Sequence, residues 1–302
     1  MAEEESVGIA LAIASGKGGV GKTTTALNLG ATMVEDGLEV AVVDFDLGMA
    51  NLGTMVGLRH PRATVHDVLA GKAPLEAALH EARGLTIVPG STVLADYGDA
   101  DPHRIEDIMG ALRERFEVVL CDVGAGLNDD IVNTLEATDA VLLVTTAELH
   151  SLTDATKTGQ LVARLDVPVV GAVFTGTGAG EFDDVEGLAT ALGARGSVTV
   201  SVPADRAVRR SVRKGMPVVF TAPSAPATVA YRRLAASLEA VFDLRDETGA
   251  EEFEWVDPQT GMTDSEPGPV MEVPLETLIE EAGLTTETEP SSVLARVSKF
   301  FD

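Results

Sequence analysis

Between positions 16 and 23 the chain reads Gly-Lys-Gly-Gly-Val-Gly-Lys-Thr, and no other stretch constrains its fold as tightly. The string fits the spacing G-x-x-x-x-G-K-[ST], in which glycines let successive backbone N–H groups turn inward around phosphate oxygens. That spacing carries meaning only between a strand and a helix. Both are predicted here, because residues 9–14 are apolar at every position and residues 22–35 form a helical stretch. Gly16, Gly18, Gly19, Val20 and Gly21 are therefore expected to wrap a phosphate group, with the positive end of the helix dipole behind it. Lys22 is expected to reach the β- and γ-phosphates, and the Thr23 hydroxyl to ligate Mg²⁺. An incidental glycine turn is the alternative, and the flanking strand and helix argue against it.

Similar short β-branched runs recur at residues 39–44, 85–88, 117–122, 140–145, 169–174 and 197–202. Helical stretches lie at residues 102–115, 151–165, 185–192, 205–214 and 227–242. Several strand candidates are apolar on consecutive positions, as strands buried on both faces are. This alternation predicts an α/β fold of the P-loop NTPase kind, a mostly parallel central sheet with helices on both faces. Ligands of such sheets bind at the carboxyl ends of the strands.

The pattern stops near residue 245. Residues 246–290 hold fourteen acidic side chains and no basic one, which reads as a flexible acidic linker. An apolar island at residues 273–284 is long enough for a short helix. Residues 291–302 place Val293, Leu294, Val297, Phe300 and Phe301 on one helical face, an amphipathic end. The expected organisation is a nucleotide-binding domain at 1–245, the linker at 246–290 and the amphipathic helix at 291–302.

Charge and cysteine content exclude several function classes. The net charge of −26 repels nucleic acid and anionic membrane except where cations are concentrated locally. Six lysines against sixteen arginines, with so many carboxylates, suit a chain kept soluble in high salt, although an ordinary acidic cytosolic protein has the same overall balance. Cys121 is the sole cysteine, so one chain can build neither a disulfide nor a cysteine-ligated cluster. The acidic residues 1–6 lack the basic start of a secretory signal, and there is no apolar run of membrane-spanning length. A cytoplasmic location is expected, peripheral to the inner membrane face if the C-terminal helix docks there.

The extra lysine narrows the identification. Lys17-Gly-Gly-Val-Gly-Lys22-Thr-Thr24 resembles the deviant Walker A motif of the MinD/ParA family. Residues 42–52, Val-Val-Asp-Phe-Asp-Leu-Gly-Met-Ala-Asn-Leu, resemble that family's switch I, and residues 118–126, Val-Val-Leu-Cys-Asp-Val-Gly-Ala-Gly, its Walker B strand and switch II. The resemblance covers residues 8 to 242 and is nearest to MinD. It implies an ATPase that uses ATP and Mg²⁺ and forms an ATP-dependent homodimer, with Lys17 reaching the partner's nucleotide. It also implies that Lys17, Lys22 and Asp46 are catalytic, Asp46 by positioning the attacking water. Thr23, Asp46 and Asp122 would hold the metal shell, Thr24 would complete the phosphate loop, and Gly126 would sense the γ-phosphate. Pro203 and Asp205 fall in the segment that reads adenine. The family commonly has proline where Gly124 stands and an asparagine in the stretch matching Val173-Phe174-Thr175-Gly176, so a freer switch II and a less specified base site are expected. For Asp44, a capping or turn role competes with a chemical one.

A switch needs an effector, and three surfaces offer one. Arg206, Arg209, Arg210 and Arg213 recur at helical spacing with Lys214 beside them, a basic stripe suited to nonspecific DNA, anionic lipid or the chain's own acidic segment, or merely a solvated face. Residues 291–302 could contact a membrane, a partner groove or the body of the chain. The linker is a spacer or an autoinhibitor. The expected function is a MinD-like ATPase switch that positions cellular machinery such as division, polar or motility structures and acts on an unidentified protein partner. A regulatory nucleotide-binding module with little turnover and a ParA-like DNA-partitioning ATPase are the alternatives, nonspecific DNA being the weaker partner.

Overall fold

A computed structural model describes residues 7–126, 128–178, 189–190, 192–194 and 198–244. The linker and amphipathic end expected beyond residue 245 lie outside the described residues, as does most of the helix expected at 185–192.

Among the described residues eight strands form one sheet: β1 (Ile9–Ser15), β2 (Val40–Phe45), β3 (His80–Ala82), β4 (Leu85–Val88), β5 (Val118–Ala125), β6 (Ala140–Thr146), β7 (Val169–Thr177) and β8 (Val198–Pro203). Their order is β3-β4-β2-β5-β1-β6-β7-β8, parallel throughout except that β3 runs antiparallel to β4 at the edge. The order leaves β1 between β5 and β6, both of which come after it in the chain. The strands that follow β1 in the chain thus lie on both sides of it, the switch point above whose carboxyl ends such sheets bind ligands.

The helices are α1 (Lys22–Glu35), α2 (Leu52–Met55), α3 (Val65–Leu69), α4 (Leu75–Ala78), α5 (Leu94–Asp99), α6 (Ile105–Arg113), α7 (Asp129–Glu136), α8 (Leu149–Arg164), α9 (Arg206–Arg213), α10 (Val218–Thr221) and α11 (Pro226–Phe242). A short 3₁₀ turn, Pro102–Arg104, precedes α6, so the single helix expected at 102–115 begins as a tighter turn. None of the helices in the described residues is long and apolar enough to cross a membrane.

Each central strand sends alternate side chains into two cores. Leu11 and Ile13 of β1, Val40 and Val42 of β2, and Val118 and Leu120 of β5 pack with Leu27 and Leu29 of α1 and Leu234 and Leu238 of α11. Ala10, Ala12, Val43, Phe45, Val119 and Cys121 face α6, α7 and α8 on the opposite side. The same parity carries Asp44 and Asp122 to the α1 side, and the register pairs them across β2 and β5. The alternation that builds the core thus delivers two carboxylates to the N-terminus of α1.

Candidate nucleotide site

The loop after β1 is shaped by glycine where other residues would be strained. Gly19 has φ 81° and Gly21 has φ 100°, left-handed values at which an L side chain is unfavourable. Gly21 is the N-cap of α1, and it brings in no side chain to cover the first-turn N–H groups. Those groups stay open to an anion. Gly16 serves close approach instead: a Cβ there would stand 2.1 Å from the carbonyl oxygen of Asp154 in α8. Ser15 donates its hydroxyl to the Lys17 carbonyl at 2.7 Å, and Thr175, from the end of β7, donates to the Val20 carbonyl. Thr175 lies in the stretch where the resemblance leads one to look for an asparagine, and here it braces the loop.

Lys22, Thr23, Asp46 and Asp122 converge below this loop. Lys22 is 6% exposed, and burial lowers its pKa, opposed by the carboxylates of Asp122 and Asp46. Asp122 is buried, and neither of its carboxylate oxygens meets a partner in hydrogen-bonding geometry. Burial raises its pKa, the charge of Asp44 raises it further, and the nearby Thr23 hydroxyl acts in the opposite sense. The Thr23 hydroxyl lies near but completes no hydrogen bond to Asp122, whose two oxygens remain free. A desolvated carboxylate with free lone pairs beside a hydroxyl is a donor set for a hard divalent cation with oxygen ligands. The residues therefore fit Mg²⁺.

Asp44 organises the adjoining loop. Its Oδ1 accepts the Asp46 N–H at 3.3 Å, and its Oδ2 accepts those of Asn51 and Leu52, each at 3.0 Å. Burial raises its pKa, and these backbone donors only partly offset that. Asp46 is half-buried, accepts the Met49 N–H at 3.2 Å and lies against Gly124, where an added Cβ would stand 3.2 Å from its Oδ1. Gly124 itself lies inside β5.

The other expected site residues are placed differently. Gly126 follows the end of β5 with φ 123°. Thr24 gives its carbonyl to Asn28 within α1. Pro203 ends β8, three strand spacings or about 14 Å from β1. Asp205 caps two helices, accepting from Ala207 N–H at 2.7 Å and from Ala227 N–H at 3.4 Å. Lys17 stays outside the pocket: its Nζ meets His150 Nε2 and lies 3.9 Å from Glu148 Oε2, and its side chain is 41% exposed.

Two residues escaped the sequence reading. His66 is 1% exposed; its Nδ1 accepts the Ser91 N–H at 3.0 Å, so its Nε2 donates to the Leu47 carbonyl at 2.9 Å. It thereby pins the loop that carries Asp46. Gly90 lets that loop settle over β4, since a Cβ there would meet Ala50 Cβ at 2.4 Å. A lone histidine and a lone glycine have no spacing pattern that announces them.

Residues 6–239 match the family model ParA, described as a NUBPL iron-transfer P-loop NTPase. An ATP-binding protein of Methanocaldococcus jannaschii is 34% identical over 238 residues, covering 76% of this chain and 87% of its own. The cell division ATPase MinD of Pyrococcus furiosus superposes with a TM-score of 0.70 at 31% identity, over 78% of this chain and 99% of its own. The septum site-determining protein MinD of Pyrococcus horikoshii, complexed with Mg-ADP, also reaches 0.70, at 28% identity over 79% of this chain and 99% of its own.

Proposed function

The chain belongs to the ParA family of P-loop NTPases, is an ATPase that uses ATP and Mg²⁺, and we propose that it is a MinD-like switch whose ATP-bound form is a homodimer. The observation that carries this reading is the position of Lys17. Lys22 already lies beneath the phosphate loop, whereas Lys17 sits on the exposed rim against Glu148 and His150, which flank Leu149 at 64% exposure. A second cation beside a bare apolar side chain suits a surface that a second protomer covers over its own nucleotide.

Within that reading each residue has a physical task. Lys22, desolvated and charged, holds the β- and γ-phosphate oxygens in a medium where its charge is poorly screened. Thr23 and Asp122 would hold the metal, which would draw charge from the phosphate oxygens. Asp46, the half-buried carboxylate of the loop, orients the attacking water by accepting its hydrogen bond. Gly126 presents backbone N–H to the γ-phosphate, and the partner's copy of Lys17 supplies the last positive charge. Pro203 and Asp205 frame the base side. Iron chemistry of the kind in the family model's description has little to work with, because Cys121 is the sole cysteine and is buried in β5.

The roles of these relatives, cell division and septum-site determination, support a function in positioning cellular machinery. The unit 1–245 would carry the switch, 246–290 would tether, and 291–302 would meet a membrane surface or a protein partner. Size-exclusion chromatography with light scattering tests the core of this. Asp46→Ala with ATP·Mg²⁺ should elute as a dimer, and the same protein with ADP as a monomer. A monomer in every nucleotide condition removes the dimer and leaves Lys17 without its role.

A further inference from the structure

The protein carries 22 basic residues against 48 acidic ones, and seven of the basic ones lie on two stretches that the fold brings together at Gly57 and Gly215. Arg206, Arg209, Arg210 and Arg213 of α9 and Lys214 are all exposed. Arg59 and Arg62, exposed in the loop after α2, come from a distant part of the chain. The two stretches touch backbone to backbone, since a Cβ at Gly215 would lie 2.9 Å from Gly57 Cα. Several cations elsewhere are paired: Lys72 with Asp99, Arg113 with Asp139, Arg115 with Glu76, Arg232 with Glu35. On this face none of the seven has a carboxylate partner among the described residues; Arg213 bonds only the Arg209 carbonyl. So many unpaired cations on a chain with a twofold excess of acid call for an anionic occupant.

We propose that the occupant is the chain's own acidic segment, anchored by residues 251–257, Glu-Glu-Phe-Glu-Trp-Val-Asp. Charge complementarity is the first argument: residues 246–290 contain fourteen carboxylates and no cation, and the anchor adds Phe253 and Trp255, whose ring faces take guanidinium groups. Reach is the second. Asp205 ties the start of α9 to the start of α11, and α11 spans seventeen residues, or about 25 Å, before the chain leaves it at Leu244. Thirteen further residues, extended, cover about 40 Å, so residues 251–257 return to the face. Being tethered, they act at an effective concentration of millimolar order, which populates even a weak contact.

The face is also coupled to the nucleotide loop. Asn51 and Leu52, held by Asp44, lead through α2 directly into Gly57, Arg59 and Arg62. A shift of the Asp46 loop would therefore be passed along the chain to Arg59 and Arg62. This inference stands without the dimer.

Trp255 is the chain's sole tryptophan, so full-length protein reports on its own anchor. Its emission should be blue-shifted at 0.1 M KCl and move red at 2 M, where the screening length falls from about 10 Å to about 3 Å or less. Arg209→Glu/Arg210→Glu/Arg213→Glu should emit at the red position in both salts. Adding Glu251→Arg/Glu252→Arg/Glu254→Arg should restore the blue shift, with far-UV circular dichroism showing that each variant is folded. Solvent-like emission in the wild type, or emission indifferent to the α9 reversal, overturns the proposal. So does binding of a DNA duplex or a phosphatidylglycerol vesicle equally well to the full chain and to a chain ending at Leu244, which would make a foreign polyanion the occupant.

Discussion

Replacing Asp122 by asparagine should affect the empty and the loaded protein in opposite directions. The side chain is 1% exposed, its oxygens are unpartnered, and Asp44 stands opposite it on β2 at 0% exposure. Its folded-state pKa is raised by burial and by Asp44 above the unfolded carboxylate value of about 3.9. The folded state therefore keeps a proton that the unfolded state has lost. By linkage, wild-type stability falls as pH rises from about 4 up through the raised pKa. At pH 8, close to the raised value of about 8, the empty wild type is split between a desolvated carboxylate and a carboxyl that keeps its proton against the pull of the solvent, and asparagine bears neither cost. The amide keeps the shape but gains no partner, so relief of about 1–3 kcal/mol is expected. For a domain of this size that is a rise in Tm of roughly 2–10 °C. The assay is thermal unfolding by circular dichroism in EDTA at pH 5 and pH 8. Asp122→Asn should melt above wild type at pH 8 and close to it at pH 5. With Mg²⁺ and ADP the order should invert, because wild type gains about 2.7 kcal/mol at a hundredfold excess over Kd while the variant gains little. A variant that melts below wild type at pH 8 in EDTA, or with the same gap at both pH values, would refute the reasoning.

Asn28 is buried in α1; its Oδ1 accepts from Val218 N–H at 2.7 Å and Val219 N–H at 3.4 Å, while its Nδ2 donates to Thr24. Asn28→Ala strands the N-terminus of α10 and should cost about 2–4 kcal/mol, read as a lower urea midpoint with unchanged slope. His66→Phe keeps the volume but frees the Leu47 carbonyl; steady-state ATPase kcat should drop about tenfold, equivalent to about 1.4 kcal/mol, with KM for ATP little changed. A kcat equal to wild type would mean that the Asp46 loop needs no such strut.

The central sheet was legible because its strands are buried on both faces, so apolar runs mark them at nearly every position. β1, the loop and α1 appear where the Gly16–Thr23 spacing places them, and β4 matches residue for residue. What escaped was short or half-exposed. β3 has three residues, none fully buried, at an antiparallel edge, too few for a period to emerge. α3 is five residues long, yet its capping box, Thr64 with Asp67, was readable in principle. α7 buries only Ile131 and Leu135 among its apolar residues, spaced one turn apart, behind three consecutive polar positions. At the site, motif residues were found by their spacing, whereas Thr175 and His66 act through tertiary placement that no local pattern encodes. Asp44 shows both aspects: it caps Asn51 and Leu52 as a turn residue would, and it also sets the electrostatics of Asp122.

The proposed trans role for Lys17 is also reasonable on energetic grounds. Its present contacts, Glu148 and His150, have side chains 63% and 59% exposed. Ion pairs that open to solvent contribute about 0–1 kcal/mol, so withdrawing Lys17 from them costs little. A phosphate chain enclosed between two protomers is shielded from water, where a charge-assisted hydrogen bond contributes about 1.5–3 kcal/mol. The balance favours the partner's nucleotide whenever ATP is present. A lysine buried at rest, as Lys22 is, could not make that exchange without leaving Asp122 and Asp46 uncompensated. Burial thus fits the proposed division of labour: Lys22 is held by the carboxylates around it, and Lys17 would be free to act if a second protomer arrives.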